Sequence, residues 1–266
     1  MRIFRREIKL SEIISKGIAF GKAAARIVRT FKGSGLILRS YIKGNSGAVR
    51  SLTLRDGTTI HLSDHPDDVI TVFVIFGRKD YGDIPKGGVV VDIGANIGTF
   101  TLYAAMNGAS KVLSIEPNSR AFNVLQTNAQ TNKLSGKVVP IRAAVTDHDG
   151  DTVFIPVSSS PYNAITSERG ASDAVEAVET VTLKGLAAQY NLDRIDLLKV
   201  DCEGAEFTII PSIPSDLLKR IRCIRLEYQD KDVTIITDYL QKHSFRIVRH
   251  DRDERFNAGM LWLERT

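Results

Sequence analysis

The chain is short of the residues that would mark it as secreted, membrane-spanning or metal-binding. Its 266 residues include two cysteines, Cys202 and Cys223. Both fall in segments that read as strands or strand ends, so a disulfide framework is excluded and a reducing compartment is the natural setting. No uninterrupted apolar run reaches the roughly 20 residues that a spanning helix needs. The first residues lack the apolar core and small-residue cleavage site of a secretory signal. The expectation is therefore a cytoplasmic protein. The five histidines, at 61, 65, 148, 243 and 250, show no ligand spacing, read as surface residues, and give no reason to expect a metal.

Charge is present but unevenly spread. Residues 1–44 hold 11 Lys/Arg against Glu7 and Glu12, a net of +9; the whole chain is +5, so the remainder carries −4. A mildly acidic body wears a basic arm. Leu10, Ile14, Ile18, Ala25 and Val28 can line one side of a helix there, with Phe31 extending it and basic residues mostly elsewhere. The plainer reading is a helix docked on the body with a solvated basic face. The sharper one is a helix that meets an anionic membrane surface, at its inner face, or an anionic substrate group. Nucleic acid is disfavoured as a partner. "KGSG" and "KGNSG" then punctuate the chain.

From Val49 the period changes to two. "VRSLTL-RDG-TTIHLS" predicts a hairpin turning at Asp56-Gly57. "PDDVITVFVIFGRKDYGDI" predicts a capped helix running into a loop. Alternating strand and helix candidates follow: "GVVVDIG", "TFTLYAAMNG", "KVLSIEP", "SRAFNVLQTNAQTNKL", "KVVPIRAAV" and the short strand "DTVFIPV". Residues 157–175 read as a long polar loop, assigned to acceptor binding. "VTLKGLAAQYN", "IDLLKVDCEG", "AEFTIIPSI", "IRCIRLEY" and "DVTIITDYLQKH" continue the alternation. "FRIVRH" and "GMLWLER" close it, with one antiparallel partner expected at an edge and Trp262 expected in the core. This pattern predicts a Rossmann-like α/β fold with a mostly parallel sheet. The organisation expected is an extension over 1–44 and one domain over 45–266, divided into hairpin and helix (45–85) and sheet core (86–266).

In such sheets ligands sit beyond the carboxyl ends of the strands. The first of those ends reads Asp92-x-Gly94-x-x-x-Gly98. A dinucleotide fingerprint requires a glycine where Asn96 stands, and no Lys-Ser/Thr pair follows for a phosphate loop. An acid at the strand end also repels phosphate and suits a cation. The second strand ends in Glu116, an acid able to accept ribose hydroxyls. A nucleoside with a cationic amino-acid arm and no pyrophosphate fits both ends, and S-adenosylmethionine is such a molecule.

"VVVDIGANIGTFTL", "SIEPN" and "IDLLKVDCEGAEFTII" together resemble the FkbM family of class I S-adenosylmethionine-dependent methyltransferases, over residues 49–266. The resemblance implies a seven-stranded sheet with an antiparallel last strand and O-methylation of a hydroxyl on a sugar, glycan, glycolipid or natural product. It implies that Asp92, Gly94, Asn96 and Gly98 shape the pocket for the methionine end. Glu116 would hold the ribose, Asn118 would sit beside the adenosine, Ala143 and Ala144 would flank the adenine, and Tyr81 would close over the cofactor. Asp201 and Glu203 would lie near the transferable methyl. Cys202 stands where a branched apolar residue is commoner, and the arm is outside the family pattern.

Asp201, Glu203 and Glu206 gather three carboxylates at one strand end, where one could take a proton from a hydroxyl. Glu206 has a purely structural reading, since an acid at a helix start favours the dipole. Glu227, ending the next strand, could face the acceptor or simply be an edge acid paired with Arg225 or a nearby lysine. Two other functions stay in view: a nucleic-acid methyltransferase, against which "DCEG" stands where base-amine enzymes carry D/N-P-P-Y/F, and a non-catalytic membrane-associated module.

Overall fold

The computed structural model describes residues 10–44, 49–157, 175–229, 231–253 and 257–266. The expected acceptor loop lies, but for its two ends, outside the described residues, as do the side chains of Leu10 and Ile14. The chain opens with helices α1 (Leu10–Thr30) and α2 (Ser34–Lys43), then a hairpin of β1 (Ser51–Thr53) and β2 (Thr59–His61). Asp56 accepts from Thr58 N at 2.9 Å inside the hairpin turn, as its Asp-Gly pair predicts. The segment expected to be a single helix is α3 (Asp68–Val72) passing into a π-helical turn, Phe73–Arg78.

The sheet core alternates as expected: β3 (Val89–Ile93), α4 (Thr99–Met106), β4 (Lys111–Ile115), α5 (Ser119–Thr131) and β5 (Val138–Ile141). There follow β6 (Ala144–Val145), β7 (Thr152–Pro156), β8 (Val175–Val181) and α6 (Leu183–Gln189). The last part holds β9 (Leu197–Val200), α7 (Glu206–Ser212), α8 (Ser215–Leu218), β10 (Cys223–Tyr228), α9 (Thr234–Lys242), β11 (Phe245–Asp253) and β12 (Ala258–Arg265). The seven-stranded sheet runs β11-β12-β10-β9-β3-β4-β5. Its strands are parallel except β12, which is antiparallel to both neighbours. The antiparallel strand therefore sits inside the sheet, and the edge position expected for it is taken by β11. The central strands are mostly aliphatic and buried, as strands covered on both faces must be: β3 and β4 are buried after their first residue, and all residues of β9 are buried.

Two further expectations need correction. "KVVPIRAAV" is two strands, because the chain leaves the sheet edge after Ile141 and β6 joins a separate sheet ordered β6-β8-β7. β8 lies in part where a polar loop was expected. Its Val/Glu/Thr alternation was the available signal, hidden by the polar run before it.

The arm docks on the body, but not by the face the apolar pattern suggested. Ala23, Ile27 and Phe31 are buried, whereas Ile18 is 55% exposed and Val28 44%. The buried stripe has its own helical spacing and packs on the π turn. Arg26 donates to Gly77 O at 2.8 Å, and Lys32 N donates to Thr53 O at 2.8 Å. α1 thus carries two apolar stripes, one spent on the body and one open. Ile27→Ala is expected to destabilise the protein by about 2–5 kcal/mol, and Val28→Ser by less than about 0.5 kcal/mol, in urea unfolding followed by circular dichroism; equal effects would contradict this docking.

Candidate cofactor and methyl-transfer site

The strand ends of β3, β4, β9 and β10 open onto one cleft of about 400 Å³. Tyr81, Gly94, Asn96, Glu116, Asn118, Ala143, Ala144, Asp201, Glu203 and Glu227 all line it. Asp92 and Gly98 do not. Asp92 is fully buried below the cleft floor, so its side chain cannot be the direct partner of a cationic cofactor arm. Its partner is Lys199, whose Nζ lies 3.1 Å from Asp92 Oδ1. Thr101 donates to Asp92 Oδ2 at 2.8 Å. Gly98 has its Cα against Leu125, where a Cβ would meet Cδ1 at 2.5 Å, so it fits α4 against α5.

Lys199 is the residue that sequence reasoning missed. It sits mid-strand in an apolar run, and a lysine there is rare unless paired; that was the signal. Besides Asp92 it lies 3.5 Å from Asp201 Oδ2 and donates to Gly94 O at 2.7 Å. Burial pulls its ammonium down, but Asp92 and Asp201 outweigh burial and hold it above the usual lysine range. One cation thus ties together the ends of β3 and β9 and the first cleft loop.

That loop passes extremely close to β9. A Cβ on Gly94, whose φ is 74°, would stand 1.7 Å from Asp201 O, so only glycine fits. Asn96 follows with φ 50°, and its N–H donates to Glu116 Oε2 at 2.8 Å. Asn118 N donates to the other oxygen, Oε1, at 2.9 Å. Two backbone donors fix the Glu116 carboxyl while each oxygen keeps a lone pair for a ligand hydroxyl. Burial nevertheless outweighs these bonds and pushes its pKa up to about 7. Asn118 also caps α5, its side chain accepting from Arg120 N and Ala121 N. Ala143 and Ala144 form an apolar wall with Val145 and Ile155; the last two come from the small sheet and were not expected.

At the other end of the cleft, acids meet. Tyr81 donates to Asp201 Oδ2 at 2.7 Å and lies 3.3 Å from Glu227 Oε2. Glu227 reaches the solvent of the cleft, yet the Asp201 charge beside it, and then burial, push it up to about 8. Its expected pairing with Arg225 does not form: Arg225 stacks on Trp262 at 4.4 Å and meets Glu264 at 3.7 Å. Glu203, at φ 54°, is raised to about 7 by burial and then Asp201, and bonds Gln229. Glu206 accepts from Gly204 N at 2.9 Å and does not line the cleft, in keeping with its structural reading. Among the described residues no group of His, Cys, Asp or Glu is placed to hold a metal.

Tyr81 is presented by a pinned turn. Trp262 donates from Nε1 to Asp80 O at 2.8 Å. Gly82, at φ 78°, leaves room for that indole, because a Cβ would lie 2.8 Å from Cη2. Trp262 is therefore half-buried between the two arginines Arg225 and Arg249, not in the core where it was expected.

Sheet order, glycine-only loop, a buried acid with free acceptor capacity at the second strand end and an apolar wall beside it define a class I S-adenosylmethionine-dependent methyltransferase. A family model described as the methyltransferase FkbM domain matches residues 92–247, and the chain belongs to that family. A relative is the 31-O-demethyl-FK506 methyltransferase FkbM of Streptomyces tacrolimicus, 26% identical over 239 residues, 76% of this chain and 91% of that one. Methyltransferase sdnD of Sordaria araneosa is 26% identical over 178 residues, 56% of this chain and 69% of that one. The tRNA (guanine(37)-N(1))-methyltransferase Trm5b of Methanocaldococcus jannaschii is 30% identical over 128 residues, 47% of this chain and 36% of that one. Among solved structures, M. jannaschii TYW2 in complex with AdoMet is 16% identical, covers 83% of this chain and 89% of that one, and has a TM-score of 0.47.

The cofactor is S-adenosylmethionine, and the cleft fits it. Gly94 and Asn96 line the cleft beside Asp201 and Glu203, and the Glu116 carboxyl, held by two backbone N–H groups, keeps acceptor capacity for two hydroxyls. Cofactor affinity should fall as pH drops through about 7, because protonating Glu116 removes acceptor capacity from the ribose; calorimetry across neutrality tests this, and the Glu116→Gln variant should show the weaker affinity at every pH. Lys199→Met should cost about 3–5 kcal/mol by stranding Asp92 as a buried unpaired charge, with Asp92→Asn on the same chain recovering part of the loss in urea unfolding.

Proposed function

We propose that this methyltransferase methylates a hydroxyl of a sugar, glycan, glycolipid or natural-product acceptor. The observation that carries the reading is the Tyr81–Asp201–Glu227 cluster at the open end of the cleft. A hydroxyl must lose its proton as its oxygen attacks, so a base with a pKa near the working pH is needed. Glu227, pushed up to about 8, meets that need and is open to the cleft. The cofactor supplies an electrophilic methyl on a sulfonium. Glu227 takes the hydroxyl proton, Asp201 maintains the field that makes Glu227 basic, and Tyr81 holds the two carboxyls at a fixed separation. Glu203, which lines the cleft and accepts from Gln229, stands where further acceptor hydroxyls can be oriented.

The cluster of acids also disfavours a phosphodiester strand at the transfer point. The Streptomyces relative is named for an O-demethyl compound, which agrees with a hydroxyl acceptor. The tRNA-modifying relative covers less than half of this chain, and the sequence after Asp201 offers no proline-aromatic clamp for a flipped base.

Mass spectrometry of glycans, lipids and small metabolites from cells with and without the protein should reveal one species that loses a methyl mark. On that acceptor, Glu227→Gln should lower kcat by about 100-fold or more while leaving cofactor affinity unchanged in calorimetry. A methyl mark found only on tRNA, or full turnover by Glu227→Gln, would overturn the proposal.

A further inference from the structure

The α3–π segment separates two cavities. Ile70, Thr71, Val74 and Ile75 face the cofactor cleft, whereas Phe73 and Arg78 face a second cavity of about 540 Å³ bounded by α1, α2 and β11. Methyl transfer makes no use of this second space. Its floor is aromatic: Tyr41 stacks on Phe73 with ring centroids 3.8 Å apart, and Phe20 lies 6.2 Å from Tyr41. Its walls are cationic, carrying Lys22, Arg26, Arg78 and Arg249 against one acid, Asp80.

The cations are not all spent internally. Arg78 pairs with Asp80 at 2.8 Å, and Arg249 pairs with Asp251. Lys22 and Arg26 have no carboxylate partner among the described residues. Arg26 uses one nitrogen on Gly77 O, and among the described residues its other nitrogens have no acceptor. Arg249 lies over the Trp262 ring, its Cζ 4.8 Å from the centroid, and Asp251 holds it by an ion pair, so it is positioned before any ligand arrives. The Tyr41 hydroxyl, 3.5 Å from Arg78 Nη1, adds a further polar group at the wall.

Several guanidinium forks and an ammonium around one half-enclosed space match the oxygens of a phosphoryl group better than the two of a carboxylate. The same two helices expose apolar side chains at Ile18, Leu36 and Ile42, the last 69% exposed, interleaved with Lys22, Arg29, Arg39 and Lys43. We infer that this cavity is a binding site for a phosphoryl group, carried either by a phospholipid headgroup or by a soluble phosphate ester. The inference stands apart from the choice of methyl acceptor. It gives the basic arm a specific task at a distance from the acidic transfer point, where a phosphate would be repelled.

The chain has a single tryptophan, and it touches Arg249 in the cavity wall, so its fluorescence reports occupancy. Glycerol phosphate and inorganic phosphate are titrated into the full chain, with chloride at matched ionic strength as control. In parallel, co-sedimentation is measured with phosphatidylcholine vesicles with and without phosphatidylglycerol. A soluble ligand would give a saturable tryptophan change. A lipid ligand would give sedimentation only with the anionic vesicles. Either result supports the site, provided that Lys22→Glu, at an exposed position, weakens binding by about tenfold or more. Arg26→Gln should weaken it as well, with its fold checked by circular dichroism. Calorimetry should show unchanged cofactor affinity in Lys22→Glu. No saturable response to any phosphate probe and no preference for anionic vesicles would overturn the inference. So would a Lys22→Glu variant that binds as the parent does.

Discussion

The Lys199–Asp92 ion pair is the constraint on which the site is built. The two residues are direct partners in the parallel pairing of β3 with β9, and both are almost fully removed from water. A slip of one residue would bury two unpaired charges, which costs several kcal/mol per ion. The pair therefore holds the register of the two central strands and brings the ends of both strands to the same height. Lys199 also reaches Gly94 O, so the loop that must pass within a Cβ's width of Asp201 is anchored by the same ammonium. Cofactor loop and carboxylate cluster share one fastening.

Around that fastening the structure assigns different environments to chemically similar acids. Asp92 is neutralised below the floor. Glu116 is gripped by two backbone N–H groups and raised mainly by burial. Glu227 is raised first by the charge of Asp201, because Tyr81 holds the two together. Groups separated in this way can take separate tasks, one accepting hydroxyl donors from a nucleoside and another receiving a proton. Trp262 extends the arrangement outward by fixing the turn that carries Tyr81, and Arg249, one of its two flanking arginines, connects that turn to the cationic cavity beside the arm.

Much of this was legible in the sequence. Short aliphatic strands alternating with helices announce a parallel sheet, and Asp92, Glu116, Asp201 and Glu227 each stand at or next to the end of a strand. Strand ends on one side of such a sheet converge whatever the loops do, which is why ten of the residues expected at the site line a single cleft. The arm was harder. Its residues support two apolar stripes, and periodicity alone cannot say which one a body will cover. Phe20, Ala23, Ile27 and Phe31 face the π turn because Gly77 leaves room there; Ile18 and Val28 remain outside.

By itself, then, the sequence determined the fold class, the cofactor and the family, because these follow from local patterns: period, glycine placement and the residue at each strand end. Tertiary structure alone decided that Asp92 answers to Lys199, that Glu227 answers to Asp201 and Tyr81, and that four cations from α1, the π turn and β11 surround one cavity. Those arrangements bring together residues up to 227 positions apart in the chain, Lys22 and Arg249 lining the same cavity. Charge interactions fall off with distance in space, and only folding sets that distance.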